Sequence, residues 1–313
     1  MAISTTDYSR VQTHQMAILD RLFAGEHLIL DARVRESLPG KTAWLSNGVT
    51  YYESAGPERG TQVILIHGFS VPNFIWDRNF NALADAGFRV VRYDLFGRGY
   101  SDRPRVAYDK ALFVRQLADL MDALKFPQAD LVSLSMGGPI AAEFAYRFPK
   151  RLRKLVFIDP AGFDLELPSA IKLLNVPVLG EIMLGLLGLL GTKTLLETML
   201  NDFYSPTQEA KDYFIPRYQE QMIYHGFKRA ILSSLRTGML DEDLQLFRRL
   251  GESGKPILLI WGKEDKTVPF RHSGTFVKLV PQAEFHPIDQ AKHIPQFERP
   301  EIVNKVLIDF LSR

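Results

Sequence analysis

Five short apolar runs, each closing on a polar residue or a glycine, set the architecture open to this chain. Val63-Ile64-Leu65-Ile66 ends at His67-Gly68, Arg89 to Tyr93 at Asp94, and Asp130-Leu131-Val132 at Ser133. Leu155 to Ile158 ends at Asp159, and Pro256 to Trp261 at Gly262. Such runs fit strands buried on both faces of a parallel sheet. Between them lie helical spacings. Leu112, Phe113, Leu117, Leu120, Met121 and Leu124 share one helix face, as do Ile302, Val306 and Phe310 near the end. Alternating strand and helix predicts an α/β fold, a mostly parallel sheet with helices on both faces. Reactive groups then belong at the carboxyl ends of the strands.

Two further strands are expected, at Thr50 to Glu53 behind an Asn47-Gly48 hairpin signal, and at Ala283 to Ile288. The rhythm breaks from about Gly162 to Leu250, where helix-like segments follow one another without a convincing strand. The expected organisation is an N-terminal helical segment over 1–41, a core over 42–161 and 251–313, and an inserted helical cap over 162–250. The cap opens with an apolar stretch, Leu173 to Gly191, interrupted by Asn175, Pro177 and Glu181 and holding four glycines. A spanning helix needs about 20 consecutive apolar residues, so the stretch reads as part of a lid.

Composition narrows the function. The chain has 38 basic and 36 acidic residues, spread along its length, which argues against a nucleic-acid partner. It has no cysteine, which excludes disulfides, a thiol nucleophile and thiolate-bound metals. No His/Asp/Glu cluster has metal-ligand spacing, so neither metal nor cofactor is expected. With no secretory pattern at the N-terminus, the expected location is cytoplasmic. A stable membrane span is not expected, though the cap is suited to transient contact with a lipid surface.

Ser133-Leu134-Ser135-Met136-Gly137-Gly138 joins a strand to a helix. The turn needs small residues around a nucleophile held in a strained backbone, which makes Ser135 the candidate nucleophile. His67-Gly68-Phe69-Ser70 follows an earlier strand, and the backbone N–H groups of Phe69 and Met136 are the expected oxyanion donors. The His67 side chain itself reads as structural. Of seven histidines, only His293 lies in a loop between a final strand and the last helix, which makes it the candidate base. Asp265, after the strand ending at Gly262, is the expected acid; Asp159 is its rival, and neighbouring Glu264 should point elsewhere. The Asp94 to Asp102 loop reads as structural. Ser70, Leu186, Leu187, Leu190 and Val268 are expected to line a substrate pocket.

From residue 42 to the end the sequence resembles the α/β-hydrolase superfamily. The resemblance rests on His67-Gly68, the Asp94 to Ser101 loop, the Ser135 elbow, Trp261 to Pro269, Ala291 to Pro295 and Glu298 to Glu301. Ser133 stands where the elbow usually begins with Gly, and Lys292 precedes His293 where Gly is common. Within the superfamily the chain is most similar to carboxylesterases and monoacylglycerol-lipase-like enzymes. That resemblance implies hydrolysis of short- to medium-chain acyl esters, monoacylglycerols among them, through an acyl-enzyme. The alternatives are a carbon–carbon bond hydrolase of aromatic degradation, a cofactor-free perhydrolase, and a ligand receptor on a hydrolase fold. The first of these usually carries a Gly-Pro-rich oxyanion loop, which His67 to Ser70 lacks.

Overall fold

The computed structural model describes residues 25–165, 173–189 and 200–313. Among them, eight strands form one sheet: β1 (Lys41–Leu45), β2 (Gly48–Ala55), β3 (Gln62–Ile66), β4 (Arg89–Tyr93), β5 (Ala129–Leu134), β6 (Leu152–Ile158), β7 (Ile257–Gly262) and β8 (Ala283–Ile288). The strand order is β1-β2-β4-β3-β5-β6-β7-β8. From β4 to β8 every neighbouring pair is parallel, while β1–β2 and β2–β4 are antiparallel. This is the α/β-hydrolase fold that the sequence resembles.

The side-chain period of two sorts the strand residues onto two faces. Ile64, Ile66, Leu131, Phe157 and Leu259 meet helices Lys110–Ala123, Gly137–Arg147, Leu244–Gly251 and His272–Leu279 on one face. Val63, Leu65, Val132, Val156 and Ile260 meet Asp77–Asp85 and Pro300–Ser312 on the other. Every residue of β5 and β7 is buried, so the central strands lie inside two packed layers. The hairpin expected at Asn47-Gly48 is the β1–β2 connection, with Leu45 opposite Gly48. β1 sits at the sheet edge and leaves Trp44 85% exposed. Its inward residues, Ala43 and Leu45, are only half-buried against the core, and the apolar Trp44 exposed between them masks the alternation that marks a strand in sequence.

Between β6 and β7 the described elements are helices: Leu179–Leu189, Gln208–Met222, Phe227–Arg236 and Leu244–Gly251. The last of these buries Leu246, Phe247 and Leu250 in the core of the sheet layer. We therefore propose that the inserted cap ends near Asp243 rather than at 250. The expected N-terminal helical pattern around Met16 to Phe23 lies outside the described residues. No helix among the described residues is long and apolar enough to cross a membrane.

Candidate active site

Ser135 follows β5 directly, with φ +52, a left-handed conformation that costs a non-glycine residue about 1–3 kcal/mol. The surroundings hold it there. Its N–H donates to the Ile158 carbonyl at 3.0 Å, and its own carbonyl accepts from Gly138 N at 2.8 Å and Ala161 N at 3.0 Å. A Cβ on Gly137 would stand 2.7 Å from the Ile66 carbonyl oxygen and 2.9 Å from that of His67. Glycine at 137 is thus what lets the elbow lie against the loop after β3. Ser133, in place of the usual Gly, is buried and donates its hydroxyl to the Val156 carbonyl at 2.9 Å.

Gly68 approaches the elbow from β3: a Cβ there would lie 3.2 Å from Ser135 Cβ and 3.6 Å from Oγ. His67 is fully buried. Its Nε2 accepts the Leu95 N–H at 2.9 Å, which places the proton on Nδ1, 2.9 Å from the Gly68 carbonyl. Burial drives the pKa of this ring down to about 3, so it stays neutral and acts as a fixed donor. The Gly68 carbonyl shares a peptide plane with the Phe69 N–H, so His67 sets the direction of that N–H. Met136, whose N–H is the other expected donor, is fully buried at the start of helix Gly137–Arg147.

Asp265 and His293 come from the ends of β7 and β8. Asp265 Oδ2 lies 2.8 Å from His293 Nδ1, and both residues are buried. Asp265 Oδ1 accepts the N–H groups of Thr267 (2.8 Å) and Val268 (3.1 Å). The loop bearing His293 is tied down as well. Glu264 accepts from Ala291 N at 3.1 Å, Glu298 from Lys292 N at 2.9 Å, and the Asp202 carbonyl from His293 N at 3.1 Å. Burial opposes a charge on His293, but the Asp265 carboxylate beside it, with Asp202 farther off, carries the pKa up to about 9.

Asp159 sits at the end of β6 with φ +43 and accepts the Gly262 N–H at 2.9 Å. Burial first, and then the neighbouring Asp265 carboxylate, push its pKa well above the ordinary carboxylate range. A neutral Asp159 removes a like charge from beside Asp265. Ligand atoms of Asp159, Asp265 and His293 all lie within 4.8 Å of one another, a spacing a cation could use. Asp265 meets the imidazole and two amides, and Asp159 accepts a third amide.

The expected pocket residues are distributed differently. Val268 is buried in the core and supports Asp265 through its N–H, while its carbonyl accepts from Trp261 Nε1 at 3.1 Å. Ser70 lies in the loop after β3, its carbonyl accepting from Gln221 Nε2 at 2.8 Å. Leu186 is 51% exposed on helix Leu179–Leu189. Leu190 and the side chain of Leu187 lie outside the described residues. Nothing local in the sequence marks Asp202, Gln221 or Arg98. Two of them lie in the insertion, where nothing local marks a contact with a distant loop.

Comparison with known proteins places the fold in a family. The chain is 31% identical over 275 residues to a 2-hydroxy-6-oxo-6-phenylhexa-2,4-dienoate hydrolase of Comamonas testosteroni, covering 86% of this chain and 93% of that one. It is 32% identical to a 2-hydroxy-6-oxononadienedioate/2-hydroxy-6-oxononatrienedioate hydrolase of Paraburkholderia phymatum, covering 84% and 91%. A solved meta-cleavage product hydrolase of Pseudomonas fluorescens superposes with a TM-score of 0.72 at 25% identity, over 87% of this chain and 97% of that one. The sequence profile described as the alpha/beta hydrolase fold matches residues 61–300, and the chain belongs to that family.

Proposed function

We propose that this chain is a serine hydrolase that cleaves a carbon–carbon bond in 2-hydroxy-6-oxo-dienoates, with Ser135 as nucleophile, His293 as base and Asp265 as its orienting acid. One observation carries the choice of bond. Relatives at least 30% identical, matched over more than nine-tenths of their length, bear names that specify such substrates. The order of readings drawn from the sequence, esters first and carbon–carbon bonds second, is thereby reversed.

The site's chemistry supports the reading. His293 takes the Ser135 hydroxyl proton as Oγ attacks the C6 ketone, and the Phe69 and Met136 N–H groups receive the oxyanion. Collapse of the adduct breaks the C5–C6 bond, and C5 must leave with the electron pair. Ketonisation of the dienol moves the 2-hydroxyl proton to C5 and leaves C2=O and C3=C4, so the pair released at C5 is delocalised through C3=C4 into the C2 carbonyl. His293 returns the proton, and water then releases the C6 acid from Ser135. Ester hydrolysis uses the same groups and differs only in the leaving atom, so it is the second reading. The half-exposed leucines 173, 179 and 186 favour it, as a wall for an acyl chain.

The test compares kcat/KM for 2-hydroxy-6-oxo-6-phenylhexa-2,4-dienoate with p-nitrophenyl esters from acetate to palmitate and a monoacylglycerol. The dienoate should exceed the best ester by at least about tenfold, about 1.4 kcal/mol of transition-state discrimination. Esters ahead of the dienoate would establish the second reading, and turnover of neither would indicate a ligand-binding protein. A fluorophosphonate should label the wild type and spare Ser135→Ala.

A further inference from the structure

Three consecutive carbonyls of the oxyanion loop each accept a hydrogen bond from a buried side chain. His67 serves Gly68, as above. Arg98 Nε donates to the Phe69 carbonyl at 2.8 Å, and Gln221 Nε2 to the Ser70 carbonyl at 2.8 Å. The last two donors are tied to the inserted helices. Gln221 belongs to helix Gln208–Met222, and its Oε1 accepts the Gly99 N–H at 2.9 Å. Arg98 Nη2 donates at 2.8 Å to Ser234 Oγ on helix Phe227–Arg236. Tyr218, one turn before Gln221, meets the Ser70 hydroxyl. Arg98 and Ser234 are fully buried and Gln221 is 2% exposed.

Sinking a guanidinium into the interior is costly. Burial lowers the pKa of Arg98 to about 10, which still leaves it cationic at neutral pH. Its partners are neutral: the Phe69, Phe96 and Ser234 oxygens, and the rings of Phe69, Tyr108 and Phe113, 5.5–5.9 Å away. A packing residue would serve the core at lower cost. What a charged, planar donor adds is a fixed direction for the carbonyl it holds.

We propose that the cap positions the oxyanion loop. Gln221, and Arg98 through Ser234, are positioning residues that keep the Phe69 N–H aimed at the reacting carbonyl, so the oxyanion hole is assembled only while the cap helices are seated. The inference rests on the reading of Phe69 as an oxyanion donor. It predicts a specific kinetic signature, because a misaimed donor weakens the transition state far more than the ground state.

Gln221→Leu removes both hydrogen bonds at nearly constant volume. It should lower kcat by about 10- to 100-fold, since a misplacement of about 1 Å can cost 10², with KM within about threefold. Affinity for phenylboronic acid, which forms a tetrahedral adduct on the nucleophile, should fall by the same factor as kcat/KM. A folded Gln221→Leu with unchanged kcat, or with KM alone raised, would overturn the proposal. Should that variant fail to fold, Ser234→Ala decides, because it deletes a single oxygen. A loss in kcat and boronate affinity of about three- to tenfold supports the clamp, and wild-type values for both refute it. The wild type serves as the control for the function itself. If it neither turns over dienoate or ester nor binds the boronate, the proposed chemistry fails, whereas an active wild type with unaffected variants condemns only the clamp.

Discussion

To act as the proposed base, His293 must be neutral before it accepts a proton, and its surroundings oppose that. Burial favours the neutral ring, but Asp265 at 2.8 Å outweighs it and lifts the pKa from 6.5 to about 9. The sign follows for both stability and rate. A folded-state pKa above the unfolded one means that the ion pair contributes fully below about pH 6.5, and the contribution is lost as pH rises through about 9. Activity runs the other way: kcat/KM should rise with pH, with its acid limb well above 6.5. Asp265→Asn should bring that limb down and lower kcat by about 10⁴, the loss known for the orienting Asp of a serine protease triad. Asp159→Asn exchanges a neutral acid for a neutral amide and keeps an oxygen for the Gly262 N–H, so its kcat should stay within about tenfold of wild type. A pH–rate profile of the two variants checks the assignment; a collapse in Asp159→Asn with Asp265→Asn spared would place the acid after β6.

At the scale of elements, the turn at Ser135 lies against the loop after β3 through glycine. Gly137→Ala would drive a methyl into two backbone carbonyls that cannot rotate away, at 2.7 and 2.9 Å. Overpacking of this kind costs about 1–3 kcal/mol. Here it should also push Ser135 off its position, so chemical denaturation should show the lost stability and kcat should drop by at least about tenfold. Gly274→Ala is the control, since nothing lies within 4 Å of its added carbon. The same elements explain what could be read in advance. His67, Ser135, Asp159 and Asp265 stand within a few residues of the ends of apolar strands, and a parallel sheet gathers such positions at one edge. Asp202, Gln221 and Ser234 carry no such marker. Their partners lie between 65 and 151 residues away along the chain, and polar residues such as Gln221 and Ser234 on inserted helices look like a solvated face until the fold buries them. Arg98 belongs to a loop whose turn chemistry was legible, but its reach to the cap was not.

For the molecule as a whole, the question is what keeps the inserted helices seated. Part of the answer lies in the segment before β1. Glu26 accepts the N–H groups of Gly226 and Lys228, both at 2.6 Å, at the start of helix Phe227–Arg236, the helix that carries Ser234. Backbone bonds run alongside: His27 and Leu28 donate to the Ile223 carbonyl, and His225 donates back to the Leu28 carbonyl at 2.9 Å. A carboxylate on the unpaired N–H groups of a helix start satisfies donors that would otherwise be orphaned, and it faces the positive end of the dipole. Glu26 is 7% exposed, so its removal strands those N–H groups away from water. Glu26→Ala should therefore cost about 1–2 kcal/mol, in the range of a lost helix cap. Glu26→Gln, which keeps an acceptor oxygen but no charge, should recover part of that loss. If the segment seats the cap, and the cap aims the oxyanion loop, the alanine variant should also lose kcat well below its melting temperature, with KM little changed. Thermal unfolding and steady-state kinetics on the three proteins test this. A lowered Tm with wild-type kcat would make the segment a brace for stability alone, and an unchanged Tm would remove it from the account.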